Sequence, residues 1–350
     1  MKKSLIVLAA LGAFTGVASA QSSVTLFGVV DLSVNSFKNG STTIKSMDSN
    51  QLQSNRLGFR GTEDLGGGLS AAFWLEGGMS NDDGSPGGFN FLRKSTLGLI
   101  SKTMGEIRLG RDYNVTFLQV ATFDVYGANG FGNFANIYAS GPRAFGTARN
   151  ATMGSGATTS VRTNNMVSYF LPGGLGGIYG SAQVGAGEGV NGNKFMGFRL
   201  GYAAGPVNVS AAMSNTNTAF SDKFKVMNVG GSYNLGVARV FAQWDQRKFG
   251  ALKYTSYQLG TSVPLGQGEF RASYARGDAS GGATNANDAT LLGVEYIYNL
   301  SKRTALYTQY GTISNKGASN ISLGGITSNA QMAAGGFKST AYGVGVRHSF

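Results

Sequence analysis

Sixteen short stretches of alternating apolar and polar residues run through this chain, and the last of them ends on the C-terminal residue. The closing run is Tyr342-Gly-Val-Gly-Val-Arg-His-Ser-Phe350. Tyr342, Val344, Val346, His348 and Phe350 fall at even positions, Gly343, Gly345, Arg347 and Ser349 at odd ones. A period of two gives a strand one apolar face and one small or charged face. Beyond the N-terminus no stretch is apolar enough to cross a membrane as a helix. A chain that crosses lipid with strands must close them into a barrel, because hydrocarbon offers an open edge no partner. Strands with one face on lipid and one on water should average near zero in hydropathy, and the mean here is -0.06.

The N-terminus has the form of a secretion signal. Lys2 and Lys3 give a positive start, Leu5 to Phe14 an apolar run, and Ala18-Ser-Ala20 a small-residue cleavage site. Cleavage after Ala20 leaves residues 21–350 as a single domain. It removes two lysines, so Lys+Arg falls from 29 to 27 against 17 Asp+Glu, a net of +10. Charged residues make up only 13% of the chain, about half the share in soluble domains. The absence of cysteine excludes thiol chemistry, disulfides and thiolate metal sites together.

Tight turns are expected at 63–68, 102–105, 171–174, 203–206, 234–236, 264–268 and 299–302. Longer connections are expected at 35–53, 80–90, 112–161, 188–193, 217–222, 249–252, 278–288 and 313–336. Seven turns and eight loops separate sixteen antiparallel strands. All five prolines (Pro86, Pro142, Pro172, Pro206, Pro264) fall in these connections or at their edges, where no ladder donor is needed. Short turns on one side and long loops on the other are the pattern of transmembrane barrels. A soluble sandwich could use a similar strand list, but the export signal and a second face rich in Gly, Ser, Asn and Arg favour the barrel. The connection at 112–161 is far longer than loops without a task. Its aromatics, among them Phe117, Phe123, Tyr126, Phe131, Phe134 and Tyr138, need burial, and the barrel interior is nearest. Leu97 and Leu99 are expected to supply an apolar inner wall for them.

Several segments resemble the general diffusion porins of Gram-negative outer membranes, most closely the betaproteobacterial type. They are Ser23-Val-Thr-Leu-Phe-Gly-Val-Val-Asp31, Asn55-Arg-Leu-Gly-Phe-Arg-Gly-Thr-Glu-Asp-Leu-Gly-Gly-Gly-Leu69, Arg93-Lys-Ser-Thr-Leu-Gly-Leu99, Leu109-Gly-Arg-Asp-Tyr113, Arg162-Thr-Asn-Asn-Met-Val-Ser-Tyr169 and the terminal Phe350. Each is weak alone; together they span the mature chain in the family's order. The resemblance implies a homotrimer of sixteen-stranded barrels in the outer membrane, set among lipid and lipopolysaccharide. The long third loop would fold into each lumen as a constriction. It also implies that Phe350 is the signal read by the barrel-assembly machinery, and that the second loop, near Ser80 to Asn90, contacts a neighbouring copy.

Arg56, Arg93 and Arg162 each sit early in a strand that follows a loop, on the second, fourth and sixth strands. Neighbours in this set are two inter-strand spacings apart, about 10 Å. Arg56 shares a face with Gly58 and Arg60, opposite Leu57 and Phe59, which places it in the lumen. Strict alternation from Arg93 turns Leu97 and Leu99 inward, so a bulge or an apolar patch is expected there. In the family, arginines at the three matching positions form the positive wall of the constriction. Asp124 matches one acidic position of the opposing loop, and no further acid follows it within that loop. A full positive wall against a thin negative one predicts a mild preference for anions. Asp31 faces the lumen and tempers the charge, and Glu76 and Glu295 are further candidates.

Catalysis has little to draw on. The single histidine, His348, lies on the apolar face of the last strand, without a pocket for acid–base work. No metal cluster or cofactor motif is present, although Asp82-Asp83 and Asn285-Ala-Asn-Asp288 could hold calcium in loops. Scattered basic residues without a run or a recognition motif argue against nucleic acid. Two functions remain: a water-filled channel for passive diffusion of small hydrophilic solutes and ions, or a substrate-specific porin for anionic or sugar solutes.

Overall fold

The computed structural model describes residues 23–84, 90–138, 160–189, 194–217, 222–281, 285–324 and 335–350. The expected export signal, Pro86 and Pro142 lie outside these residues. In chain order the strands are β1 (Ser23–Asn39), β2 (Thr42–Ser49), β3 (Arg56–Gly66), β4 (Leu69–Gly78), β5 (Lys94–Ser101), β6 (Gly105–Tyr113), β7 (Arg162–Phe170), β8 (Ile178–Gly185), β9 (Phe195–Ala204), β10 (Val207–Asn217), β11 (Lys223–Asn234), β12 (Arg239–Phe249), β13 (Leu252–Leu265), β14 (Gly268–Ser280), β15 (Ala289–Asn299), β16 (Thr304–Asn315) and β17 (Lys338–Ser349). Two helices, α1 (Val115–Phe123) and α2 (Ala135–Tyr138), lie between β6 and β7.

Every pairing is antiparallel, and β1 pairs with β17 from Val29↔Ser349 to Asn39↔Ser339, which closes the sheet on itself. Phe350 finishes the seam. Its N–H donates to the Gly28 carbonyl and its carbonyl accepts from the Gly28 N–H, both at 3.1 Å. The Phe350 ring lies where a side chain at residue 28 would stand, so the seam needs a glycine there.

Seventeen strand segments make sixteen wall strands. β3 pairs with Ser23–Val29 of β1, and β2 pairs with Leu32–Asn39 on the same edge. They are two pieces of one strand, parted by an excursion at 50–55. The expected loop at 35–53 is therefore replaced by a tight turn at Gly40-Ser41 and this excursion. The sequence reading failed there because polar Thr42–Ser49 carries little apolar alternation. The connection at 249–252 is likewise only a two-residue turn, Gly250-Ala251.

Alternation sorts the side chains as the period of two requires. Val24, Leu26, Met196, Leu200, Leu259 and Val344 stand on the outside, as do Leu97 and Leu99 at 59% and 52% exposure. That overturns the expected inner wall at Leu97 and Leu99. Arg93 precedes β5, so strict alternation does not run through it; within the strand Lys94, Thr96 and Gly98 point inward. The apolar surface that receives the long loop is on the far side of the lumen. Val120, Phe134, Ile137 and Tyr138 pack there against Tyr254, Ala275, Leu291 and Ile313. Burying each such aromatic or aliphatic side chain contributes about 1.5–3 kcal/mol. The connection after β16 also turns inward: Ile321 joins this cluster, and Leu323 packs on Phe37, Phe131 and Ala341.

A bulge marks the entry to the long loop. The β6–β7 register shifts between Gly110 and Asp112, and Gly110 has φ +118°, a region closed to side chains. A Cβ there would collide with the Ser95 carbonyl oxygen. Gly110→Ala should therefore destabilise the barrel by about 1–3 kcal/mol. Heat-modifiable mobility on gels would register this as a lower unfolding temperature; an unchanged temperature would mean the ladder accommodates the methyl group.

Candidate functional site

The long loop starts with a cap. Asn114 adopts extended backbone, and its side-chain oxygen accepts from the Phe117 N–H at 2.8 Å, which starts α1 inside the lumen. The helix is then fixed to the wall by polar contacts. Gln119 donates to the Ser210 carbonyl (2.8 Å), Asn228 donates to the Thr116 carbonyl (2.9 Å), and Arg199 reaches Gln119 (3.1 Å) and Thr122 (2.9 Å). At the far end α2 rests under a buried ion pair. The Arg247 guanidinium lies 4.2 Å from the Tyr138 ring and 2.9 Å from Asp245. The described part of the loop thus lies along β8 to β15, with Phe131 reaching Phe37 of β1 and Ala341 of β17, and leaves space beside β3, β5 and β7 open.

Arg56, Arg93 and Arg162 come together on that open side. Glu76 binds two of them, Arg93 at 2.7 Å and Arg56 at 3.5 Å. The Tyr113 hydroxyl accepts from Arg93 (3.3 Å) and Arg162 (3.0 Å), and the Arg162 guanidinium lies 4.4 Å from the Tyr113 ring. Arg162 also donates to the Arg93 carbonyl at 2.6 Å. Tyr113 in turn stacks on Phe117 of α1 at 4.8 Å. The three cations are therefore held in a fixed row rather than left as free tethers, which is what a planar guanidinium with five donors permits.

The lip facing the loop tip is the 50–55 excursion. Its anchor is Asp31, fully buried, whose carboxylate accepts from the N–H groups of Leu52 (2.8 Å) and Gln53 (2.6 Å) and from the Tyr307 hydroxyl (2.5 Å). Asn55 donates to the Asp31 carbonyl (3.1 Å), and Ser54 donates to Asn129 on the loop tip (2.8 Å). Asp31 thus holds a backbone segment and does not itself line the open space.

Asp124 is also placed differently from its expected role on a negative wall. It is buried, and its carboxylate accepts from the N–H groups of Tyr126 (3.2 Å), Ala128 (3.0 Å) and Phe134 (3.1 Å) and from Gln258 (3.2 Å). It folds the loop on itself and presents no charge to the open side. Burial pushes its carboxyl up to about 6. Arg60 lies four residues further along β3 than Arg56, stacked 5.3 Å from Phe27 and 5.2 Å from Trp74, away from the opening.

Between loop and wall lies an open space of about 650 Å³. Its charged lining is Arg56, Arg93, Arg162, Arg271 and Arg347 against a single carboxylate, Glu269. Glu295 sits behind, paired with Arg271 at 3.2 Å.

The chain matches the Gram-negative porin family over residues 7–318. It is 39% identical, across the whole of both chains, to outer membrane porin protein 32 of Delftia acidovorans. It is 30% identical, again across both chains, to an outer membrane porin protein of Bordetella pertussis. Among solved structures, an anion-selective porin from Comamonas acidovorans superposes with a TM-score of 0.82 at 35% identity, covering 94% of this chain and 100% of that one. Salmonella typhi OmpF in complex with daunomycin shares the fold at 15% identity, with a TM-score of 0.68 over 95% of this chain and 99% of that one. This chain belongs to the Gram-negative porins. It is an outer-membrane channel for passive diffusion.

Sequence reasoning found three of the five arginines that line this open space and missed Arg271, Arg347, Tyr113 and the 50–55 lip. Arg347 had a visible signal, since it falls on the inner set of the closing run. Tyr113 ends a segment whose conformation changes at the bulge, so phase alone did not place it.

The Asp124 seat gives a pH test. The folded pKa near 6 lies above the ordinary value near 3.9. The seated loop therefore holds a proton that a released loop gives up. Seating is firmest below about pH 4 and weakens as pH rises through 6. Hydrogen exchange at 124–138 should be slower at pH 5 than at pH 7.5, after correction for intrinsic rates. Asp124→Ala leaves three N–H groups without this acceptor, the two buried ones at about 1–3 kcal/mol each, and should speed exchange at both pH values. Identical protection factors for the native porin at the two pH values would remove Asp124 as the seat.

Proposed function

We propose that this porin is a homotrimeric diffusion channel with a mild preference for anions. The observation that carries the reading is the charge of the open space between loop and wall, the narrow part of the lumen: five arginines line it, one carboxylate faces them, and the inserted loop contributes no exposed acid. Arg56, Arg93 and Arg162 form the cationic wall of this constriction, and the loop tip with the 50–55 excursion forms its other edge. A solute entering a low-dielectric throat meets a focused positive potential, which raises the local concentration of anions. The solved structure at 35% identity is that of an anion-selective porin, which supports the same reading. A general channel is favoured over a substrate-specific one. Phe123, Phe131, Phe134 and Tyr138 of the loop are buried and build no aromatic track. Among the described residues Tyr113 and Phe117 make the one stacked pair on the lining of the opening, and Tyr126 and Tyr138 border it singly.

The mature chain on this reading starts at Gln21, after an export signal cleaved behind Ala20. Phe350 serves as the assembly signal for the barrel machinery, consistent with its position at the seam with Gly28. Deleting Phe350 removes two seam hydrogen bonds and should leave unfolded chains in the periplasm and few heat-resistant trimers. A normal trimer yield after deletion would count against that role.

Selectivity is tested in planar bilayers under a salt gradient. The reversal potential of the wild-type channel should report anion preference. Replacing Arg56, Arg93 and Arg162 together with glutamine should lower or reverse it while trimer yield is retained. An unchanged reversal potential in the triple variant would exclude the three arginines from the constriction.

A further inference from the structure

The geometry points to Arg347 as an additional specificity-determining residue of the pore, one that extends the arginine row past the seam where the barrel closes. This rests on the anion-preferring reading above. Arg162, Arg93 and Arg56 stand at β7, just ahead of β5, and at β3. Continuing around the wall, the strand after β3 is β1 and the next is β17, which carries Arg347. The four arginines therefore occur at every second wall strand, roughly 10 Å apart, and all four line the same open space.

What separates Arg347 from Arg56, Arg93 and Arg271 is the lack of a counter-charge. Arg56 and Arg93 share Glu76, and Arg271 has Glu269 and Glu295. Among the described residues no carboxylate lies within salt-bridge distance of Arg347. Asp31 faces it directly across the β1–β17 ladder, but that carboxylate is turned to Leu52, Gln53 and Tyr307 and makes no ion pair with Arg347. Arg347 donates from Nη1 to the Ser349 hydroxyl at 3.1 Å, while its Nε is buried without a partner. A guanidinium held by a neutral hydroxyl keeps its whole charge for whatever passes. In a constriction, an uncompensated cation acts on a passing ion with its full charge, whereas the field of an ion pair partly cancels. The ligand class is any small anion, inorganic or carboxylate, met transiently on its way through.

The chain contains no cysteine, so Arg347→Cys creates a single thiol. Reversal potential is measured in 0.1 M and 1 M KCl gradients on the same channels before and after a cationic, then separately an anionic, methanethiosulfonate. The thiol form should show a chloride-to-potassium permeability ratio several-fold below wild type. The cationic adduct should restore it, and the anionic adduct should push it lower still. The shifts should be larger at 0.1 M, where the screening length is about 10 Å, than at 1 M, where it is about 3 Å. Failure of the thiol to react, read by mass, or adducts of opposite charge giving the same ratio, would overturn the assignment. If Arg347→Cys does not assemble, Arg347→Gln and Arg347→Lys replace it: only glutamine should lower the ratio, and an equal ratio in both would overturn it. A wild-type channel without anion preference would instead refute the function proposed above, before any variant is compared.

Discussion

Hydrocarbon leaves a backbone N–H or C=O no partner but another peptide, and the rest of this molecule follows from that. Each wall strand must be flanked on both sides, so the sheet must close, and it closes where Val29 to Asn39 meet Ser339 to Ser349. Closure draws in Phe350 as well. It bonds to Gly28 in both directions, so neither residue leaves a polar backbone group exposed at the seam. The outer face can then be uniformly apolar. Arg56, Glu76, Asp31, Arg271 and Arg347 are then carried on the inner face, where sixteen strands enclose more space than their own side chains fill.

That surplus space is the second constraint. It is divided by packing the loop between β6 and β7 against one side. Phe134, Ile137 and Tyr138 meet Tyr254, Leu291 and Ile313 there, while Arg199, Asn228 and Arg247 secure the loop's polar atoms. The burial that stabilises the loop is also what makes the channel asymmetric. One side becomes a dry core and the other remains open, so charges on the open wall act on solutes without loop carboxylates opposite them. Asp124 illustrates the coupling. It could not serve both as acceptor for Tyr126, Ala128 and Phe134 and as an exposed negative wall, and the fold uses it as acceptor.

The barrel was legible in the sequence because two solvents impose one period. Tyr342, Val344 and Val346 face out, while Gly343 and Gly345 face in. The lumen position of Arg56 followed from the same phase. What was hidden depends on contacts distant along the chain. The 50–55 excursion has no glycine or proline to announce it, and its anchor, Asp31, lies some twenty residues earlier. Leu97 and Leu99 were misplaced because phase was counted from Arg93, which stands outside the ladder. The true docking wall for the loop rests on Leu291 facing in beside Leu292 facing out, and no local signal separates two adjacent leucines.

The arrangement of counter-charges fits a conduit better than a trap. Bare arginines packed into a narrow space would repel one another and wander; fully paired ones would offer nothing to a solute. Glu76 resolves this for Arg56 and Arg93 by fixing two cations with a single carboxylate, leaving a net positive charge at that position. Tyr113 fixes Arg93 and Arg162 with a neutral hydroxyl and a ring face, which costs no charge at all. Ser349 does the same for Arg347. On the proposed reading an anion finds donors already oriented, spaced about 10 Å apart, and none surrounds it completely. Partial coordination at successive stations lowers the barrier to entry without creating a deep well, and conduction requires that balance.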